Sequence, residues 1–516
     1  KARIMLEKIK KLICKSRYIT EFISTIVFIL FMAQTIYYKA YAGYFHKLYL
    51  IGTGIWGAIL LINIIYNFKK SNKKVEKIFL NIAIPLGMLY LVFMIPSHVP
   101  DEATHFYKAY DVSFGNIVTK IDENGNSYIK IPKNLEEYHH VKITNYKTLI
   151  EKSEEKTDYN DTVDIISTAQ GNSFIMYILP AFGFIISRVL NIGIIWGIYL
   201  GKVLNFIFFL IMSYLAIRKI SFGKLVLAVY MLTPMNLQQV TSMSPDAFIN
   251  SITLYYLAFS VYMIFKKEKV NKKEIALYII LTAISGLIKM VYVLLAGVGF
   301  LIVKRKDIKN KNKILIIVLT ILIGGIFTIG AYLYTTKYSS ITEATELYKQ
   351  EYNVDSGKQM AQIKESPKHI LKALKTDWYY MQKDYMFMAI GSQLGWIEIK
   401  PSETIILMYL ILLVVSALAE DNKFEFNKVE KIWLLLISIG IMFLVEIAMY
   451  LDFTPVGAEF IGGVQGRYYI PVYILALWAL GNKNNYIKIK NSQNKFLIIS
   501  GALNLCVLWE VIGYFL

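Results

Sequence analysis

Apolar runs long enough to cross a bilayer recur along the whole chain, and no other feature constrains its fold as much. A bilayer core takes about 20 consecutive apolar residues per helix, with a range of roughly 17–25, and backbone polar groups in lipid must be satisfied within the helix itself. Runs of this kind occupy Ile19–Tyr38, Leu48–Tyr66 and Ile78–Ile95 before the first long polar stretch begins. With 56% hydrophobic and 18% charged residues over 516 positions, the composition departs from that of soluble domains towards a multi-span membrane protein. The expected fold class is all-α integral membrane, with about 13 transmembrane helices at the usual span length.

A formal net charge of +19 suits a nucleic-acid binder only if the charge forms one surface. Here the lysines cluster between apolar runs, in Lys69–Lys77, Lys266–Lys273 and Lys304–Lys313. That is the pattern of cytoplasmic loops under the positive-inside rule, so no nucleic-acid partner is expected. Lys1–Arg17 reads as a cytoplasmic leader into a retained first helix, because the apolar run after it is too long for a signal-peptide core. Cys14 and Cys506 lie near opposite ends of the chain and lack motif partners. Neither a disulfide scaffold nor a zinc site is indicated.

Alternation from a cytoplasmic leader places 96–172 outside as a first large loop, rich in turn formers and charge at Asp122–Ser127 and Glu151–Asp161. Phe174–Leu190 is broken by Pro180 and Gly183 and reads as a re-entrant or interfacial helix. Ile194–Ile217 crosses, Leu225–Gln239 rises and Phe248–Phe265 descends. Ile275–Val303 carries 29 residues between two basic loops, which predicts a hairpin of two short helices turning near Gly286–Lys289. Ile314–Tyr334 rises into a second outer loop, whose aromatic stretch Asp377–Trp396 reads as an amphipathic helix in the outer interface. Thr404–Ala419, Ile432–Leu451, Tyr469–Leu480 and Phe496–Tyr514 follow, leaving the C-terminus outside. The chain thus divides into a leader with two helices (1–77), a core (78–335), the second outer loop (336–402) and C-terminal helices (403–516) that include an outer loop at 452–468.

This topology gathers the unusual polar residues on one side, and ionisable residues near membrane depth are rare unless they line a cavity or substrate path. Asp101 and Glu102 follow Pro100 at the start of a helix on which Asp101, His105 and Lys108 share a face. Either carboxylate can act as a general base towards a sugar or alcohol hydroxyl, or both can simply complement the helix dipole. Asp246 follows Pro245 and is open to the same two readings, capping or substrate orientation. Lys289 either snorkels to the interface or binds an anion. Arg467, in GGVQGRYYIP, sits among glycines that let backbone approach a ligand, and its guanidinium suits phosphate oxygens; the alternative is an interfacial anchor beside Tyr468 and Tyr469. Gln238, Gln239 and Gln465 lie on the same side. Lys202 and Glu446 fall inside expected spans and either line this cavity or reach the headgroups. His139 and His140 are adjacent, so they do not share a helical face and read as a solvated pair rather than a metal site. A divalent cation is possible in the first loop, but neither DxD spacing nor a calcium loop is present.

Seven blocks together resemble an uncharacterised bacterial multipass membrane family grouped with the GT-C glycosyltransferases. They are PDEATHFYKA (100–109), NSFIMYILPAFGF (172–184), GKVLN (201–205), PMNLQQVTSMSPDAFIN (234–250), IKMVY (288–292), LGW (394–396) and GVQGRYYIP (463–471). The resemblance implies a GT-C-like core, a polyprenyl-phosphate sugar donor and, in the first large outer loop, an acidic residue that is a catalytic base or metal partner. On this chain it places Asp101 or Glu102 as base and Arg467 with Lys289 at the donor phosphate. Gln465, Asp246, His105, Gln239 and Tyr292 are the further candidates for binding the donor phosphate or substrate. Two spans precede the core; counted from the third, the run to Ile314–Tyr334 gives the seven spans of that class.

The expected activity is therefore transfer of a sugar from a polyprenyl-phosphate carrier to an extracytoplasmic glycan or cell-wall acceptor at the bacterial cytoplasmic membrane. A monophosphate leaving group has less need of a metal than a pyrophosphate, so no obligatory cofactor is expected. The alternatives are a transporter or flippase of lipid-linked glycans, which needs a polar path to the cytoplasmic face, and a non-catalytic envelope assembly protein.

Overall fold

The computed structural model describes residues 2–70, 74–121, 126–140, 143–266, 268–339, 341–484, 486–489 and 491–516. Ser71–Lys73 of the first basic cluster and Asp122–Gly125 of the turn-rich run lie outside the described residues, as do the side chains of His139 and His140.

Among the described residues helices dominate, and eight of them are long and apolar enough to cross a membrane: Ile19–Ala42, Lys47–Lys69, Val75–Phe93, Ile194–Lys219, Asp246–Phe265, Asn310–Tyr338, Lys428–Asp452 and Ser492–Phe515. The expectation of about 13 thus includes segments shorter than a full span. Two of these, Lys272–Ile288 and the tightly wound Met290–Lys304, form the expected hairpin with its turn at Lys289. Tyr278 donates to the Ala296 carbonyl at 2.7 Å, which requires the two segments to fold back on each other. Leu225–Gln239, by contrast, is not one helix. It breaks at Leu232–Thr233 into Lys224–Met231 and Pro234–Val240, because Pro234 has no N–H to continue the ladder and serves instead as a first helical residue.

Two faces of the molecule are set by contacts between loops. On one, Lys304 pairs with Glu430 at 3.0 Å, Lys266 with Glu274 at 2.9 Å and Arg305 donates to the Met263 and Glu268 carbonyls. Phe265, Phe222 and Phe426 stack between these loops, with ring centroids 4.9–6.0 Å apart. Asn271 and Asn427 begin their helices here with reciprocal capping boxes to Glu274 and Glu430. This face carries Lys266, Lys304 and Arg305 of the second and third basic clusters. The opposite face carries Ser97, Pro100, Gln238, Asp246, Trp396 and Arg467, joined by the hydrogen bonds described below.

Phe174–Val189 is a short apolar segment that packs on Ile194–Lys219. The two backbones touch at Gly183, where an added Cβ would run into the Gly197 carbonyl and the Gly201 amide. Small residues permit such close helix packing in an apolar environment. The 96–172 loop is ordered around the helix Glu102–Val112 and a two-stranded antiparallel sheet, Tyr128–Pro132 against Thr162–Ile166, with Tyr128 opposite Ile166.

The aromatic stretch Asp377–Trp396 is not a single interfacial helix. Its first residues end the helix Pro367–Tyr380, the middle forms the separate helix Gln382–Ile390, and Trp396 lies in a turn closed by the Leu394–Ile399 bridge. Gly391 (φ +140°) and Gly395 (φ +60°) supply the backbone angles that stop the helix there.

Candidate functional site

The helix Val75–Phe93 delivers the chain to a turn in which Ser97 (φ +70°) and Asp101 (φ +63°) both adopt the left-handed conformation. Asp tolerates this geometry better than most residues. Asp101 stands at the N-cap of Glu102–Val112 but makes no side-chain cap hydrogen bond. The carboxylate instead reaches Arg467, whose Nη2 donates to Asp101 Oδ2 at 3.0 Å.

Glu102 points the other way. It is 1% exposed, and its two oxygens are both occupied: Oε2 accepts from the Ser97 N–H at 2.8 Å and Oε1 from the Met243 N–H at 2.9 Å. Burial pushes this carboxyl up, opposed by Lys202 and by backbone N–H donors. A base must present a free oxygen to its substrate, and Glu102 is spent as a clamp between the 97–102 turn and the Thr241–Asp246 turn. The expectation that either carboxylate can serve as base narrows to Asp101.

Arg467 is the hub. It is 6% exposed, and it joins three segments distant in sequence: Nη1 lies 3.3 Å from Asp246 Oδ2 and 3.3 Å from the Pro100 carbonyl, while Nη2 holds Asp101. Asp246 is the first residue of its helix, after Pro245 at the N-cap, and its N–H donates to Ser244 Oγ at 3.2 Å while its carboxylate meets the guanidinium. The Asp101 side chain is 53% exposed whereas that of Asp246 is 10% exposed, so Asp101 is the carboxylate an incoming molecule can touch. Lys289 Nζ sits 4.1 Å above the Tyr468 ring, a cation–π contact worth about 0.5–2 kcal/mol. It forms no ion pair among the described residues.

The segment from the Asp101 turn to Arg467 falls within residues 85–476, which match a family described as "Predicted membrane protein (DUF2142)". The chain belongs to the DUF2142 family. The match holds Asp101, Asp246, Lys289 and Arg467 together, and the N-terminal helix pair precedes it. No curated protein and no solved structure matches the chain.

In this DUF2142 protein the other expected site residues divide by what they touch. Tyr292 is spent structurally, since its hydroxyl donates to the Tyr468 carbonyl at 2.6 Å and so steadies the turn bearing Arg467. His105 Nδ1 shares a 2.9 Å hydrogen bond with the Tyr177 hydroxyl, which also accepts from Asn172 at 3.0 Å. Burial lowers His105 to about 4, so the ring is neutral. Lys108, expected on the same face as Asp101, is fully buried and donates to Gln170 Oε1 at 2.7 Å. Lys202 binds the Met94 carbonyl at 2.9 Å, closing the end of the Val75–Phe93 helix. Glu446 accepts from Trp378 and Gln382, both at 2.8 Å. Neither Lys202 nor Glu446 borders the Arg467 cavity.

Gln239 and Gln465 do border it, in a small cavity beside Arg467 and Pro100. Gln238 and Gln393 line it too, with Met235, Met388 and Ile397 on its apolar side. Gln393 was not legible as a site residue, its only signal being the glycines on either side of it. A second cavity of about 540 Å³ has Lys289 in its wall and is otherwise mostly apolar, with Phe174, Met176, Leu287, Ile326, Phe327 and Ala331. A polar cavity of about 810 Å³, with Glu346, Lys349, Asp355 and Lys358, shares no residue with the Arg467 cluster. Among the described residues no group of three or more His, Cys, Asp or Glu side chains is placed to hold a metal ion.

Proposed function

We propose that this protein is a GT-C-type membrane glycosyltransferase that moves a sugar from a polyprenyl-phosphate carrier to an extracytoplasmic glycan or cell-wall acceptor in the bacterial cell membrane. The observation that carries the reading is the half-exposed Asp101 held by the buried Arg467, beside Lys289 at the edge of an apolar groove. An isoprenoid chain is apolar and fits such a groove from the lipid side, while its phosphate needs cations at the groove's polar end. Lys289 and Arg467 are those cations.

In this reading the acceptor hydroxyl oxygen attacks the anomeric carbon, and the bond from that carbon to the phosphate oxygen breaks. The electron pair leaves with the carrier phosphate, whose added charge is met by Arg467 and Lys289. The hydroxyl proton passes to Asp101. Asp246 holds Arg467 in place, and Glu102 fixes the backbone from which Asp101 projects. Direct displacement inverts the anomeric configuration.

The test is the envelope glycan of a deletion strain complemented with variants. Asp101→Asn and Arg467→Lys, confirmed as inserted in the membrane at normal levels, are expected to leave the strain without the sugar that the unaltered chain restores. Full restoration by Asp101→Asn would sink the assignment of the base.

A further inference from the structure

We propose that the glutamine-lined cavity beside Arg467 is a saccharide subsite that receives a hydroxyl or hydroxymethyl group of a neutral donor sugar. This assignment rests on the transferase reading above and names the chemistry of its donor. The polar part of its wall is Gln238, Gln239, Gln393, Gln465 and Arg467, and Pro100, Met235, Met388 and Ile397 are among the rest. Four buried polar atoms on these residues have no hydrogen-bond partner among the described residues: Gln238 Nε2, Gln239 Oε1, Gln393 Oε1 and Arg467 Nε. Gln238 and Gln239 are fully buried and Arg467 is 6% exposed.

Unsatisfied buried polar groups are rare in folded proteins, and four converging on one space call for a ligand group. Two of the four are donors and two are acceptors; a hydroxyl accepts twice and donates once, so one hydroxyl pairs both donors and one of the two acceptors. Charge points the same way. The Nη atoms of Arg467 are turned to Asp101 and Asp246, and the other side chains of the lining carry no charge, so an ammonium of the sugar finds no counter-ion within the cavity. The enclosed space is about 20 Å³, enough for one water-sized group. One hydroxyl arm therefore enters while the sugar ring stays at the mouth, next to Pro100 and the Asp101–Arg467 pair. Gln238 is held for this task, because its Oε1 accepts the Gly395 N–H at 2.8 Å and leaves only its Nε2 to face a ligand.

A site of this kind discriminates strongly, since a ligand lacking the hydroxyl leaves buried amides unpaired. The full-length protein in lipid nanodiscs is titrated with undecaprenyl phosphate and with undecaprenyl-phosphate glucose, mannose and galactose. At least one sugar-bearing lipid is expected to bind roughly tenfold or more tightly than the bare carrier, the increment of a few neutral hydrogen bonds. Gln239→Met, Gln393→Leu and Gln238→Glu, the last keeping the acceptor for Gly395, are expected to bring that ratio to about one, with bare-carrier binding serving as the control for folding. Equal affinity for all four lipids in the unaltered protein, or a ratio that survives the three substitutions, marks the cavity as a structural water site and overturns the assignment. No binding of the bare carrier by the unaltered protein, or binding that persists in Arg467→Ala, overturns the transferase reading as well.

Discussion

Asp101 projects from a left-handed backbone that a helix start does not require, and conformations of this kind cost about 1–3 kcal/mol unless the surroundings hold them. Glu102 does that holding through its two backbone amides. Replacing one carboxylate oxygen with an NH₂ opposes it to a buried N–H, so Glu102→Gln is expected to destabilise the protein by about 1–3 kcal/mol, read as a lower thermal midpoint in nanodiscs. Asp101→Asn is expected to leave that midpoint nearly unchanged and to remove transfer, which separates the two neighbours experimentally. His105 gives a pH prediction. Its folded value near 4 lies below its ordinary 6.5, so the unfolded chain binds more protons between these values. Stability is therefore complete above about pH 6.5 and falls as the pH drops towards 4. His105→Gln is expected to flatten that part of the stability profile. Asp377 works in the opposite sense. Burial raises it to about 6, so its contribution is present at low pH and declines as the pH rises from about 4 through 6. A melting series from pH 4 to 8 is expected to show Asp377→Asn gaining on the unaltered protein up to about pH 6 and holding a constant difference above it.

Arg467 is placed by the short turn Gly466–Tyr469, which packs on the helix Gln382–Ile390. At Gly466 an added Cβ would meet Met388 Cβ, with the Ala389 amide and the Tyr385 carbonyl each 2.5 Å away. Two of these are backbone atoms that cannot rotate aside. Gly466→Ala is thus expected to push the Arg467 turn off its seat, with most activity lost while helix content by circular dichroism is retained. At this scale the sequence was partly readable. Pro180 and Gly183 marked the short packed helix, and the 29-residue run Ile275–Val303 marked the hairpin. Pro234 also carried the signal that breaks Leu225–Gln239, although the apolar run around it outweighed that signal. The Asp377–Trp396 stretch misled because aromatic content is shared by interfacial helices and buried turns, and only contacts such as Trp396 Nε1 to the Ser97 carbonyl at 2.9 Å separate the two.

Over the whole molecule, the N-terminal helices Ala2–Ala42 and Lys47–Lys70 pair chiefly with each other along a polar seam: Glu21 with Asn67, Asn63 with Ser24 at 3.1 Å, and Thr35 with Thr53 at 3.0 Å. They also lie outside the stretch that matches the DUF2142 family. A chain lacking 2–74 is accordingly expected to insert and to keep the activity proposed for the Arg467 site, measured in the same complementation assay. The sequence by itself determined the membrane class, the hairpin at Lys289 and the segregation of lysine clusters from the polar residues of the opposite face. Hydropathy and charge are local properties that add along the chain, and a bilayer reads them segment by segment. Tertiary structure alone decided that Asp101 and Arg467, 366 residues apart, share a pair while Glu102 turns inward. It also decided that Gln238 and Gln393 face the same space. Such pairings depend on which faces of distant helices meet, and a one-residue change of position reverses the side chain's direction, as Asp101 and Glu102 demonstrate.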